Sequence, residues 1–169
     1  FCYLSFNAPH TPLQVPNKYY QMYKDIDPSK GIDPKLLPTA EMTEKSDEDA
    51  RKVYAMVTNI DDNLSRLFQK VKALGIEDNT IIIFMTDNGP QQARYVAGMR
   101  GRKSSVHRGG IRVPFFMRYP SKFAGNSEMN QMAAHIDLLP TLSQLCGAPM
   151  PQDRKIDGRS FIPALEGKA

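Results

Sequence analysis

The amino-acid sequence predicts an α/β layered fold, and two neighbouring patterns support this prediction. Apolar residues recur at intervals of three and four between Val53 and Leu74, which is typical of one face of a long helix. Residues 80–86 follow as a run that is apolar on both faces and β-branched at its start, as expected of a central strand buried between helices. A long helix that leads into such a strand indicates layered α/β packing.

Length and composition fit one compact unit or part of a larger domain. The 169 residues are 41% hydrophobic and 24% charged, which excludes wholesale disorder and a fibrous protein. The longest dense apolar run, residues 81–85, is far shorter than the roughly 20 residues that cross a bilayer, so no membrane partner is expected. No initiator Met or basic leader opens the chain, so residue 1 is expected to lie inside a longer protein.

The first half of the chain is predicted as a strand, an irregular excursion and the long helix. Residues 1–7 are rich in β-favouring types and end at two prolines, which indicates a strand that runs into a loop. Residues 9–38 hold six of the thirteen prolines, so we expect an irregular excursion with a short helix near residues 18–24. The long helix is predicted over residues 47–74, capped by Ser46 with Asp49 and ended by Gly75.

The second half adds three shorter elements. Residues 113–117 are predicted to form a short strand whose proline lies at its start, where a missing N–H is tolerated. A helix is predicted from Asp137, as its cap, to Gly147. Residues 161–165 form a short packing segment.

Residues 87–90 read Asp-Asn-Gly-Pro and directly follow the predicted central strand. In open α/β sheets the carboxyl ends of strands are where sites lie. Asp87 and Asn88 offer two hard oxygen ligands, which suit Ca²⁺ or Mg²⁺. The alternative is an ordinary Asn-Gly turn, although Pro90 follows at once and no alternating partner strand does.

Positive charge is concentrated in one segment. No acidic residue lies between Asp87 and Glu128, whereas eight basic residues do: Arg94, Arg100, Arg102, Lys103, Arg108, Arg112, Arg118 and Lys122. We expect this segment to attract an anion. Within it, residues 101–110 combine glycines, hydroxyls and fixed charge, as a loop around a phosphate or sulfate requires. Lys103 lacks the glycine spacing of a P-loop, and a solvated basic loop is the alternative.

His10 lies between Pro9 and Pro12 at the end of the first predicted strand. A histidine on such a restricted backbone can donate to an anion or act as a general acid near neutral pH. A surface or capping histidine is the alternative.

The order and spacing of these segments resemble the formylglycine-dependent sulfatases of the alkaline phosphatase-like superfamily. The matching segments cover nearly the whole chain: residues 7–12, 54–63, 81–90, 103–114, 135–141 and 157–160. The resemblance implies a three-layer α/β/α fold with a mostly parallel sheet. It also implies that residues 1–169 are part of a catalytic domain whose N-terminal part and C-terminal subdomain are missing.

The resemblance also implies roles for four residues. Asp87 and Asn88 match the aspartate and asparagine that bind Ca²⁺, or occasionally Mg²⁺, in that family. His10 and Lys103 match the histidine of its His-x-Pro segment and the lysine six residues before its Gly-Gly pair, which contact the sulfate group. One departure is that Arg108 precedes the Gly-Gly pair where an acidic residue is usual, so the loop around Lys103 is expected to differ.

The family's nucleophile is expected outside this chain. Sulfatases of this type convert a Cys or Ser of a Cys/Ser-x-Pro-x-Arg segment to formylglycine, whose hydrate attacks sulfur while the metal offsets charge on the oxygens. Cys2 is followed by Tyr-Leu-Ser and Cys146 by Gly-Ala-Pro-Met, so neither matches. We expect the nucleophile upstream of Phe1 and this chain alone to be inactive.

By this resemblance the whole protein hydrolyses sulfate esters of a sulfated small molecule or glycan. A periplasmic, secreted or lysosomal-type compartment is compatible with that family. One alternative is a phosphohydrolase or phosphonate hydrolase of the same superfamily, since the same metal and anion-binding residues can serve a phosphoryl group. A basic nucleic-acid-binding domain that uses residues 94–122 is an alternative of another class. That segment has few aromatics and no recognised motif, so no nucleic acid partner is expected.

Overall fold

The computed structural model describes residues 1–36 and 43–168, in two compact units, Phe1–Tyr119 and Pro120–Ala169. The first unit contains α1 (Asn17–Tyr20), α2 (Glu44–Ala73), β1 (Ile82–Met85), α3 (Arg108–Ile111) and β2 (Phe115–Arg118). The second contains α4 (Leu138–Cys146) and α5 (Ile162–Leu165). Short 3₁₀ turns lie at Pro34–Leu36, Glu77–Asn79 and His135–Asp137. Across these described ranges, no helix is both long enough and apolar enough to cross a bilayer.

The long predicted helix is confirmed as α2. Its inward face buries Val53, Met56 and Ile60 along with two alanines, as the three-and-four spacing requires. The predicted cap is wrong, because the helix begins three residues earlier. Thr43 is the cap, and its Oγ1 accepts a hydrogen bond from the Ser46 backbone N–H at 3.2 Å. Gly75 follows the last turn with φ near +67°, which a residue with a side chain rarely adopts.

Three tyrosines attach the proline-rich excursion to α2. The short helix predicted near residues 18–24 is present as α1, four residues long and followed by turns. The tyrosine hydroxyls pair with side chains of α2 as follows: Tyr19 with Asp62 at 2.8 Å, Tyr20 with Glu48 at 3.0 Å and Tyr23 with Thr58 at 2.6 Å. These hydrogen bonds hold residues 19–23 of the excursion against α2. The last predicted residues of the excursion, 37 and 38, lie outside the described part of the chain.

The two strands form an antiparallel pair. Ile82 of β1 lies opposite Arg118 of β2, and Met85 lies opposite Phe115. The prediction of a fully buried central strand is wrong for this chain, because every residue of β1 is only half-buried. No parallel pair occurs among the residues that the structure describes, so the mostly parallel sheet is not seen there. The physical reason is that a strand is covered on both faces only when layers pack on each side of its sheet.

The predicted strand at residues 1–7 is also wrong. These residues have no regular secondary structure and are exposed, with Phe1, Tyr3 and Leu4 more than half accessible. A strand needs a neighbour that supplies backbone hydrogen bonds, and the sequence pattern alone cannot provide one.

In the second unit, Asp137 and Thr141 organise the packing around α4. The predicted helix is confirmed, and Gly147 ends it with φ near +65°. The Asp137 side chain does not cap α4. Its two carboxylate oxygens accept from the backbone N–H groups of Ala134 and Arg159, both at 2.8 Å. Thr141 is fully buried, and its Oγ1 accepts from the Phe161 N–H at 3.2 Å, which places α5 against α4.

Candidate active site

In the first unit, the Asp-Asn-Gly-Pro segment and the basic loop are joined by backbone hydrogen bonds. The N–H of Gly89 donates to the carbonyl of Gly110 at 2.8 Å, and the N–H of Lys103 donates to the carbonyl of Pro90 at 2.9 Å. Backbone hydrogen bonds therefore join the loop that follows β1 to the loop that leads into β2. One of these bonds also fixes the backbone of Lys103.

Glycine is required where these two loops meet. A Cβ atom on Gly89 would collide with the carbonyl oxygen of Gly109, and one on Gly109 would collide with the carbonyl oxygen of Gly101. Gly109 and Gly110 are both buried. Only residues without a side chain allow three backbone segments to approach this closely. The Gly-Gly pair therefore allows the basic loop, residues 101–110, to pack directly against residues 87–90.

The structure brings the side chains of His10 and Lys103 together, although they are 93 residues apart in sequence. Lys103 Nζ lies 3.4 Å from His10 Nε2. His10 Nδ1 lies 2.7 Å from the carbonyl oxygen of Thr11. Because a carbonyl oxygen only accepts, the neutral ring carries its proton on Nδ1 and turns the Nε2 lone pair towards Lys103. The His10 N–H donates to the carbonyl of Asn7 at 2.9 Å, and this turn fixes the backbone of His10.

Asp87 and Asn88 follow β1 directly and offer two oxygens of the kind that Ca²⁺ and Mg²⁺ prefer. Asn88 Nδ2 donates to the carbonyl of Gly89 at 2.9 Å, which leaves Oδ1 available as a ligand. The Asp87 carboxylate makes no ion pair or hydrogen bond with the described residues, and the residue is exposed. This donor set fits a hard cation. No group of three His, Cys, Asp or Glu side chains that could hold a metal occurs among residues 1–36 and 43–168.

Arg94 is half-buried, and nothing in the sequence singles it out among the eight basic residues. Its Nη1 is buried and has no hydrogen-bond partner among the residues described. Desolvation by the surrounding protein lowers the pKa of Arg94, and Tyr54 partly opposes that shift. Only the fold reveals the burial of Arg94 Nη1, because residues 91–98 show no periodic apolar pattern.

Comparison with known proteins gives consistent matches over most of the chain. A family model described as Sulfatase matches residues 1–148. An endo-4-O-sulfatase of Bacteroides thetaiotaomicron is 27% identical over 168 residues, which are 96% of this chain and 32% of that protein. An ulvan-active sulfatase of Formosa agariphila is 32% identical over 158 residues, covering 91% of this chain and 29% of that protein. Human steryl-sulfatase is 30% identical over 123 residues, covering 67% and 21% respectively.

Solved structures give the same result. The yidJ protein of Bacteroides fragilis, described as a sulfatase, superimposes with a TM-score of 0.79 at 29% identity over 97% of this chain and 36% of that one. A phosphonate monoester hydrolase of Silicibacter pomeroyi shares the fold, with a TM-score of 0.63 at 20% identity over 91% of this chain and 31% of its own. The chain spans about a third or less of the length of the relatives named here.

Proposed function

The chain belongs to the sulfatase family, and from that premise we propose that it is part of the catalytic domain of a sulfuric ester hydrolase. In this proposal residues 1–169 supply one side of the site, and the rest of a longer protein supplies the other. The half-buried strand β1 would then be covered by the remaining layers of a three-layer α/β/α domain, in a mostly parallel sheet.

One observation carries this proposal: Lys103 Nζ lies 3.4 Å from His10 Nε2, and the loop that holds Lys103 is hydrogen-bonded to the Asp-Asn-Gly-Pro segment. Two nitrogen groups at this separation can face two oxygens of one tetrahedral anion. Fixed positive charge beside hydrogen-bonding nitrogen is what a sulfate group requires. In this proposal Asp87 and Asn88 act from one of the two connected loops, Lys103 acts from the other, and His10 acts from its own turn.

Lys103 and His10 have different tasks in the proposed mechanism. Lys103 keeps a positive charge next to the sulfate oxygens, where negative charge is stabilised during ester cleavage. His10 donates from Nε2 when its ring is protonated, either to a sulfate oxygen or to the departing alcohol oxygen. The hydrogen bond from Nδ1 to the Thr11 carbonyl keeps the ring oriented in either protonation state, because Nδ1 is a donor in both.

Asp87 and Asn88 would hold Ca²⁺, or Mg²⁺, through one carboxylate and one amide oxygen. The cation, when bound, supplies positive charge next to the sulfate oxygens. The formylglycine nucleophile is proposed to come from outside this chain, since neither Cys2 nor Cys146 lies in the required segment. The isolated chain is therefore proposed to be inactive.

The substrate is proposed to be a sulfated glycan or a sulfated small molecule. The names of similar proteins span both classes, with an endo-4-O-sulfatase and an ulvan-active sulfatase on one side and steryl-sulfatase on the other. A phosphonate or phosphate ester hydrolase is the second candidate, because a phosphonate monoester hydrolase shares the fold.

The deciding experiment compares three esters of the same aryl alcohol with the full-length protein: a sulfate, a phosphate and a phosphonate. We expect kcat/KM to be highest for the sulfate. A chelator should lower that rate, and added Ca²⁺ or Mg²⁺ should restore it. A higher kcat/KM for the phosphate or the phosphonate would overturn the assignment in favour of the second candidate.

A further inference from the structure

A cavity of about 420 Å³ lies in the first unit, and three of its six lining residues are arginines. The lining residues are Ala97, Gly98, Met99, Arg100, Arg108 and Arg112. None of them belongs to the set proposed above for the sulfate ester or the metal. The cavity is large enough for a small oxyanion with part of the ring that carries it.

The backbone explains why these arginines converge. The N–H of Gly109 donates to the carbonyl of Arg100 at 2.7 Å, so the start of α3 lies against the segment before the basic loop. The N–H of Arg112 donates to the carbonyl of Arg108 at 2.8 Å, which keeps these two arginines one helical turn apart. Backbone hydrogen bonds, which are independent of the arginine side chains, thus bring three arginine residues to the lining of one cavity.

The charge of this cavity is not balanced within the described chain. The side chains of Arg100, Arg108 and Arg112 make no ion pair or hydrogen bond with any described residue, and all three residues are exposed. No acidic residue occurs between Asp87 and Glu128. Like charges that face one cavity repel one another, and a bound anion removes that repulsion. Guanidinium groups match the geometry of carboxylate, phosphate and sulfate oxygens.

We propose that the cavity lined by Arg100, Arg108 and Arg112 is a second anion subsite, which binds a further sulfate or carboxylate group of the same substrate. This inference rests on the proposed function and narrows it to substrates with at least two oxyanions. Lys103 lies three residues after Arg100, so their Cα atoms are at most about 11 Å apart by chain geometry. A disaccharide that carries two anionic groups can span that distance.

The test measures binding without turnover, by calorimetric titration of the full-length protein with three unhydrolysable ligands built on one disaccharide. The first carries one sulfonate, the second carries two sulfonates, and the third carries one sulfonate and one carboxylate. We expect the second anion to lower Kd about tenfold or more, because charge-assisted bonds to arginine are the strong class of hydrogen bond. Whichever of the two dianionic ligands binds more tightly shows whether the second group is sulfate-like or a carboxylate.

Two variants with the same loss of charge locate the effect. The double substitution Arg108→Gln with Arg112→Gln should abolish the gain from the second anion. The double substitution Arg66→Gln with Lys70→Gln, at exposed positions of α2 outside the cavity lining, should retain it. Retention of the gain in the Arg108 and Arg112 double variant would place the subsite elsewhere and overturn the proposal.

The wild-type comparison decides the matter even if a variant does not fold. Equal Kd values for all three ligands in the wild-type protein would overturn the subsite, and would mean that the arginines meet groups of the protein outside this chain. A gain in binding without turnover of any sulfate ester would contradict the proposed function while supporting the second anion subsite. Failure of the two proposals is therefore distinguishable.

Discussion

At the scale of single residues, the position of Lys103 is set by its backbone, because its N–H donates to the Pro90 carbonyl. The side chain is then free to approach His10 across the turn that contains two prolines. The same loop carries His107 and Arg108, and Arg108 lines the cavity described above. His107 precedes α3, is exposed and makes no capping hydrogen bond with its side chain.

Replacing Lys103 with Ala in the full-length protein should lower kcat for an aryl sulfate about a hundredfold to a thousandfold. The reason is that Lys103 is expected to face the sulfate oxygens, and preorganised contacts of this kind commonly have effects of that size. His107→Ala is the matched control and should cost less than about tenfold. Steady-state kinetics provide the measurement, and near-normal turnover in the Lys103→Ala protein would remove this residue from the mechanism.

Replacing Gly89 with Ala should destabilise the site, because the new Cβ would collide with the Gly109 carbonyl oxygen. Overpacking of this kind costs about 1 to 3 kcal/mol of unfolding free energy. Gly125→Ala is the control, since no atom lies within 4 Å of a Cβ at that position. The melting temperature and the rate of aryl sulfate turnover should both fall for Gly89→Ala and should stay unchanged for Gly125→Ala. Equal behaviour of the two variants would show that the close approach of the loops is not required.

At the scale of elements, the helices owe their ends to local chemistry and their placement to distant side chains. Thr43 and Gly75 delimit α2 within a few residues of sequence. The attachment of α1 to α2 depends instead on tyrosine hydroxyls that meet polar groups 28 to 43 residues away. In the second unit, the Asp137 carboxylate bridges the turn before α4 and the segment before α5.

Asp137→Asn should lower the free energy of unfolding of the full-length protein at neutral pH by roughly 1 kcal/mol. This figure is kept small because solvent screens the partly exposed carboxylate. Hydrogen bonds from the backbone N–H groups of Arg159 and Ala134 hold the pKa of Asp137 below its ordinary value of 3.8. A depressed pKa in the folded state stabilises the protein above pH 3.8, and that contribution disappears as the pH falls through the folded value.

The melting temperatures of wild type and Asp137→Asn should therefore differ at pH 7 and converge below about pH 4. Glu128→Gln, at an exposed position, is the control and should show no such difference. A gap between wild type and Asp137→Asn that stays constant down to pH 3 would mean that the carboxylate charge is not responsible.

At the scale of the whole molecule, we propose that this chain supplies only part of a site. The described residues contain no complete metal cluster, and large apolar side chains lie open on several elements, with Phe116 of β2 65% exposed. A surface of this kind usually marks an interface with other protein. The relatives named above, which are three or more times longer, are consistent with such an interface.

The isolated chain should bind Ca²⁺ poorly, because Asp87 and Asn88 supply about two or three of the six to eight oxygens that Ca²⁺ takes. Calorimetric titration should show no micromolar affinity for this chain alone. The full-length protein should bind Ca²⁺ more tightly, and Asp87→Asn should weaken that binding tenfold or more. Micromolar affinity in the isolated chain would mean that its ligand set is larger than the two residues proposed.

Local patterns were sufficient to predict much of the helical structure and the identity of the candidate site residues. The prediction is correct for helix α2 and for the C-terminal ends of α2 and α4, at Gly75 and Gly147. Helix formation depends on contacts three and four residues apart, which the sequence shows directly. The residue types at Asp87, Asn88 and Lys103 indicate hard-metal and anion chemistry from the sequence alone. Their roles remain predictions.

Contacts between segments far apart in sequence could not be predicted from local patterns. Residues 1–7 have strand-like composition but no regular structure, and β1 is half-buried, because pairing and burial depend on partners distant in sequence. The approach of His10 to Lys103 and the convergence of three arginines on one cavity are likewise long-range. Residue types in the sequence indicate which positions can carry the chemistry, whereas the close backbone contacts of Gly89, Gly109 and Gly110 set how the loops that hold Asp87 and Lys103 pack together.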